Sequence, residues 1–463
     1  MSDVEVTLSA PVLKRVMGVP GLVIFGLAYM APMAVFTTYG VVNEITAGHV
    51  PAAYVITLVA MLFTAGSYAT LVRSYPVAGS AYSYARRAFG GGIGFLTGWA
   101  LMLDYLLLPL TNYLLIGIYL NATFPMVPTW AYSLAGIVLV TTLSIVGIGV
   151  VRNANLALVG MQLIFVAVFV VLAGAHLIQH PGVSVLAPIY SQGVAATGLF
   201  AGAATLALSF LGFDAVSTMS EEARDPRRTV PRAIMLTVLV GGVLFFIVSM
   251  LATLIEPDPT AITDPDTAAN QIMELTAGQW LQTFFLASYL AACVAAALAA
   301  QVSVTRILYA MGRDGVLSRR IFGYVSRRFH TPAGAVLFVG IISLIALGAD
   351  LATLFSVVSF GALAAFSLVN LSVIKHFLID GRRRGLRSTL VYGVAPAIGM
   401  LLTGYLWFSL SALALAVGLS WLALGIGYLG WLTRGFRRPP PEVAFDADHC
   451  LTDPHDAERA SAP

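Results

Sequence analysis

The chain has 463 residues, of which 59% are hydrophobic and 10% charged, whereas soluble domains carry roughly 25% charged residues. A formal net charge of +3 is too small to argue for a nucleic-acid partner. The two cysteines, Cys293 in an apolar run and Cys450 near the end, imply neither a disulfide framework nor a metal cluster. The composition is that of a multi-pass membrane protein seated in a lipid bilayer, and no cofactor is expected.

Residues 1–19 are polar, contain Lys14 and Arg15, lack a cleavable signal pattern and form an N-terminal segment. Apolar runs of about bilayer length follow at 21–42, 51–72, 93–119, 129–150, 156–177, 197–219, 233–255, 280–310, 333–347, 351–375, 390–410 and 412–432. They predict about twelve transmembrane helices, the third and eighth overlong and the ninth short. Basic residues alternate with these runs. Lys14 and Arg15 precede the first; Arg73, Arg86 and Arg87 follow the second; Arg152 follows the fourth; Arg224, Arg227, Arg228 and Arg232 follow the sixth. The clusters around Arg319, Arg383 and Arg437 follow the eighth, tenth and twelfth, and every odd-numbered connection is free of Lys and Arg. The positive-inside rule then predicts both termini cytoplasmic, and the uncleaved N-terminus points to the inner (plasma) membrane as location. The connection after the seventh run is acidic (Glu256, Asp258, Asp264, Asp266 and Glu274) and reads as a solvated cap or as a cation concentrator. The segment from Ala78 to Ala85 reads as a short helix or a re-entrant gate, and residues 437–463 as a disordered cytoplasmic tail.

Two runs carry breaks. The sixth contains Ser209-Phe210-Leu211-Gly212-Phe213-Asp214-Ala215-Val216, and the first contains Ala28-Tyr29-Met30-Ala31-Pro32-Met33-Ala34-Val35. Gly212 weakens a helix, and Pro32 removes a donor and disfavours helix at the residue before it. Interrupted spans in corresponding halves point to a transporter's central site. Carboxylates inside a span are expensive unless they face protein or water, and two are present: Asp104, midway along the third run, and Asp214. No Lys or Arg lies in a neighbouring span except Arg306 and the terminal Lys375, both at cytoplasmic ends, so the partner of Asp104 is a proton or something brought from outside. Tyr105 and Tyr113 flank it and can close a cation in an aromatic cage; for Tyr113 interfacial packing is the favoured alternative. Tyr29, Met30, Ala31, Phe210 and Leu211 are expected to line an apolar slot, with Ser359 of the tenth run supplying a hydroxyl. Asp214, Glu221 and Glu222 are candidates for gating or proton coupling, the glutamates through Arg224, Arg228 or Arg306. Ser303 and Thr305 read either as sodium ligands or as ordinary helix-to-backbone bonds. The first break lacks a glycine pair, which leaves room for a substrate without a carboxylate.

The chain resembles the amino acid–polyamine–organocation (APC) superfamily. The likeness rests on the Ser209–Val216 string with Ser220-Glu221-Glu222 and Arg224-Asp225-Pro226, on Thr305-Arg306-Ile307-Leu308-Tyr309-Ala310-Met311-Gly312-Arg313-Asp314-Gly315, and on Pro76-Val77-Ala78-Gly79-Ser80-Ala81-Tyr82. Within the superfamily it is similar to bacterial putrescine importers at Gly26-Leu27-Ala28-Tyr29-Met30-Ala31-Pro32-Met33, Gly48-His49-Val50-Pro51-Ala52 and Leu103-Asp104-Tyr105-Leu106. The resemblance implies an all-α LeuT-type fold with helices 1 and 6 broken. Its inverted five-helix repeats would be residues 20–178 and 179–388, with two further helices in 389–436. It also implies proton-coupled uptake of a diamine, with Asp104 and Tyr105 where an amine contact is expected. The alternatives are an amino acid permease or amine/amino acid exchanger of the same superfamily, and, from another class, a membrane sensor or an intramembrane enzyme. The last two lack a visible signalling domain or a nucleophile–base pair at depth, so no enzyme is expected. The expected partners are a small amine, protons and lipid, as a monomer or homodimer.

Overall fold

The computed structural model describes residues 17–75, 80–146, 149–180, 184–191, 194–313, 317–326, 329, 331–435 and 437–438. Lys14 and Arg15, Ala78 and Gly79 of the expected gate, and the tail beyond 438 lie outside them.

The described chain is helical, with one isolated backbone bridge, between Met17 and Ala223. In order the helices are α1 (Val19–Met30), α2 (Ala34–Ile45), α3 (Val50–Ser74), α4 (Ala81–Phe89), α5 (Gly91–Thr123), α6 (Thr129–Val146), α7 (Gly149–Gln179) and α8 (Ala196–Leu206). They continue as α9 (Pro226–Ile255), α10 (Ala268–Ala277), α11 (Gln279–Arg313), α12 (Ala333–Ser343), α13 (Leu351–Ile374), α14 (Leu386–Thr389), α15 (Ala395–Phe408) and α16 (Ala412–Leu432). Among the described residues ten helical stretches are long and apolar enough to cross a membrane; α1 and α2 pass only together, as one span bent by 47°, and 333–348 is a shorter apolar helix. These account for all twelve predicted runs. Helices satisfy every backbone group internally, which is why such runs fold this way where no water is present.

Around the long α5 pack α13, α11, α6 and α4, while α3 packs on α9. α15 and α16 cover α13 from outside, and their apolar residues, such as Leu401, Leu424 and Trp431, face outward. Polar stitches fix helix pairs: Ser67 donates to Asn370 Oδ1 at 2.6 Å, and Asn370 donates to Thr64 at 3.1 Å, tying α3 to α13. Between α5 and α16 the indoles of Trp99 and Trp421 stack at 4.8 Å, and each donates to the other's backbone carbonyl, at 2.9 and 2.8 Å.

One stretch differs from the sequence expectation. The acidic connection is not merely a solvated cap. It contains α10, whose Ile272 and Met273 are buried, and its Asp258 and Asp264 accept backbone N–H groups of local turns. Only ten residues long, α10 falls below any run-length criterion. The described part of the gate segment is α4, begun by a Ser80–Ser83 capping box.

Candidate functional site

The first break is built by Pro32. α1 ends at Met30, Ala31 takes φ +50°, and the chain restarts as α2 at Ala34. A left-handed alanine costs about 1–2 kcal/mol, so surrounding contacts hold it there. The second break follows α8. Ala207–Phe210 is a 3₁₀ turn, Gly212 takes φ +114°, and Asp214–Glu221 resumes as 3₁₀ rather than α-helix. The breaks touch one another: a Cβ on Gly212 would lie 2.5 Å from Cδ1 of Tyr29 and 2.9 Å from its backbone carbon. Glycine is required there both by φ and by the approach of Tyr29.

Asp104 sits on α5, 4% exposed. Gly361 lets α13 close in, since a Cβ there would lie 2.6 Å from the Ala100 carbonyl and 3.3 Å from the Asp104 Cβ. No hydrogen bond or ion pair among the described residues holds the Asp104 carboxylate; the charged group within its electrostatic range is Asp214. Asp214 is half-buried, and its Oδ1 accepts the Gly212 backbone N–H at 3.2 Å. Tyr29 lies within interaction range of Asp214, Ser303 and Asp104, and Tyr68 within range of Asp214 and Tyr105.

Beside this cluster is a cavity of about 110 Å³. Of the residues expected at the site, Tyr29, Met30, Ala31 and Leu211 line it; Asp104, Tyr105, Phe210, Asp214 and Ser359 do not. Phe210 is fully buried, its ring packed on Tyr54 and Phe245. Ser359 donates to the Thr205 carbonyl at 3.0 Å, which ties α13 to α8. Ser303 and Thr305 bond to the carbonyls of Ala299 and Val302, the helix-to-backbone alternative. Tyr113 is packing, its hydroxyl donating to Gln301 at 2.6 Å. The rest of the lining was not singled out from sequence: chiefly Thr37, Thr111, Asn112, Gln162, Tyr289 and Cys293, a neutral polar set.

In the lining the Thr37 and Tyr289 hydroxyls bond at 2.7 Å, and Tyr289 packs on Phe285 and Tyr119 at 5.1 and 4.6 Å. Outside the lining, Tyr68 packs edge-on against Tyr84, Phe213 and Phe366. Past the second break Met17 N–H donates to the Glu222 carbonyl at 2.9 Å and Arg224 N–H to the Met17 carbonyl at 3.0 Å. Arg228 pairs with Asp225 at 3.7 Å. Glu222 is half-buried; the side chain of Glu221 lies outside the described residues.

A family model described as amino acid permease matches residues 22–423. A low-affinity putrescine importer, PlaP, of Escherichia coli (strain K12) is 39% identical over 434 residues, 93% of this chain and 96% of that protein. The branched-chain amino acid permease BcaP of Bacillus subtilis (strain 168) is 27% identical over 89% of this chain and 92% of its own length. A methylthioribose transporter of the same organism is 28% identical over 91% and 92%. These relatives are transporters and not enzymes, their cargoes are small molecules, and the ten apolar spans agree with a multi-pass membrane protein of LeuT-type architecture. The chain therefore belongs to the amino acid permease family of the APC superfamily, and its work is transport of an amine or amino acid across a membrane.

Proposed function

We propose that this protein imports putrescine or a related small organic amine, coupled to protons, by alternating access. The observation that carries the reading is Asp104: a carboxylate at mid-span, buried, without a cationic or hydrogen-bonding partner among the described residues. A lone carboxylate removed from water must be neutralised by a proton or a bound cation, and an alkyl ammonium supplies the cation. Asp214 within its electrostatic range offers a second acidic group, so one can serve the amine while the other carries the proton.

The second break favours an amine over an α-amino acid. Backbone N–H groups at a half-helix N-terminus suit a substrate carboxylate. Here Asp214 takes the Gly212 N–H itself, and the Leu211, Phe213 and Ala215 amides bond to nearby carbonyls. The relative named as a putrescine importer supports the same substrate class. The residues between the breaks (Tyr29, Met30, Ala31, Leu211) would hold the apolar stem, and Tyr105 the flank of the ammonium. The approach of the two breaks at Gly212 and Tyr29 supports a cycle in which they act as joints between the repeats 20–178 and 179–388. The alternation of basic connections supports an orientation with both termini in the cytoplasm.

The test is uptake into proteoliposomes. Asp104→Asn is expected to abolish accumulation of labelled putrescine driven by an imposed proton gradient, at unchanged protein content. Normal uptake by this variant removes Asp104 from the site. Accumulation of amino acids in preference to amines by the native protein would replace the substrate reading with that of an amino acid permease.

A further inference from the structure

A second, larger pocket of about 710 Å³ opens at the end of the bundle that carries the basic residues, and it shares no lining residue with the cavity between the broken helices. Three elements bring an arginine to it: Arg73 from the last turn of α3, Arg227 from the first turn of α9, and Arg383 just beyond α13. Arg73 and Arg227 have no carboxylate partner among the described residues, and both are exposed. Arg383 is held in place: its guanidinium lies 5.0 Å over the Phe377 ring and donates to the Tyr392 hydroxyl at 3.3 Å. The acidic residue on the rim, Asp380, is already engaged by Lys375 at 2.8 Å. The floor is shaped by a π-helical turn, Lys375–Asp380, which ends α13 and presents His376 to the Tyr75 hydroxyl at 3.2 Å. Such turns are rare and concentrate at functional sites.

Forked guanidinium donors match phosphate oxygens, and basic pockets between spanning helices on the cytoplasmic side suit acidic lipid headgroups. We propose that this pocket binds a phosphate-bearing anion of the class carried by acidic phospholipid headgroups, with Arg73, Arg227 and Arg383 as its ligands. The site is independent of the transport site, and its failure would leave the amine reading untouched.

The test uses the full chain, purified and stripped of lipid in detergent, with phosphatidylglycerol, phosphatidylcholine or inorganic phosphate added. Binding is read by native mass spectrometry and by thermal shift. Retention of phosphatidylglycerol over phosphatidylcholine is expected, with apparent affinity falling roughly tenfold or more in Arg73→Gln/Arg227→Gln, as for loss of charged hydrogen bonds. Stabilisation by inorganic phosphate alone, lost in the same variant, would assign the site to a free anion of the same chemistry. Arg383→Gln gives a second, single-site reading should the double variant fail to fold. Arg437→Gln/Arg438→Gln removes the same charge off the pocket and is expected to bind normally. Equal binding by native and pocket variants, or equal loss in the Arg437/Arg438 control, overturns the proposal.

Discussion

Gly212→Ala perturbs the contact between the two broken helices directly. A Cβ at φ +114° adds backbone strain of about 1–3 kcal/mol. The same Cβ falls 2.5 Å from Tyr29 Cδ1 and 2.9 Å from the Tyr29 backbone carbon. Because one contact is to backbone, Tyr29 cannot simply swing aside, and overpacking adds about 1–3 kcal/mol. The closed arrangement is thus disfavoured by roughly 2–6 kcal/mol, and since 1.4 kcal/mol is tenfold, even the lower end depletes it about thirtyfold. If transport passes through this closed state, the apparent affinity for labelled putrescine in proteoliposomes should weaken by at least roughly tenfold. Protein content and gel-filtration profile should be near native. An affinity within twofold of native would refute the idea that the breaks must meet here during the cycle.

Tyr289→Phe removes the 2.7 Å bond to Thr37 while keeping the stacked ring, so it should loosen that side of the cavity by about 0.5–1.5 kcal/mol; faster substrate release in a washout assay is the readout. Cys293 lines the cavity and is 3% exposed. In a Cys450→Ser background, maleimide labelling of Cys293 is expected to be slow and to slow further with putrescine; indifference to substrate would place the substrate elsewhere. Trp421→Phe keeps an aromatic ring but leaves the Trp99 carbonyl without its 2.8 Å donor, and a loss of about 1 kcal/mol should appear as a lower melting temperature with unchanged substrate affinity. Asp266, in the acidic connection, is pushed up to about 6 by burial and then by Asp264, Asp350 and Glu44. The folded chain therefore keeps a proton that the unfolded chain has released. This stabilisation is complete below the ordinary carboxylate range and is lost as pH rises through about 6. Asp266→Asn should flatten the slope of melting temperature against pH across that window.

The spans were legible because length and charge alternation are imposed by the bilayer, and Pro32 and Gly212 mark the breaks through backbone chemistry alone. Asp104 and Asp214 stand out because a charge in a 20-residue apolar run has few explanations. The neutral lining of the cavity was not legible. Thr111 and Asn112 bond to carbonyls one turn back, at 3.0 and 2.8 Å, as such residues do on any helix. Nothing in their spacing separates a cavity wall from a buried seam. α10 escaped notice because it is short and shares its connection with four carboxylates that read as solvent-facing: Glu256, Asp258, Asp264 and Asp266.

The eight residues Asp214–Glu221 are wound as a 3₁₀-helix. At about 2.0 Å per residue this coil is roughly 16 Å long, and rewound as α-helix it would measure roughly 12 Å. Rewinding would therefore shorten the segment by roughly 4 Å, and its far end is tied to Met17 through the Glu222 and Arg224 backbone. That shortening would draw on Met17 and on Tyr68, which packs on Phe213 at the break, in one motion, a displacement that spin labels at Thr218 and on α3 can measure with and without amine.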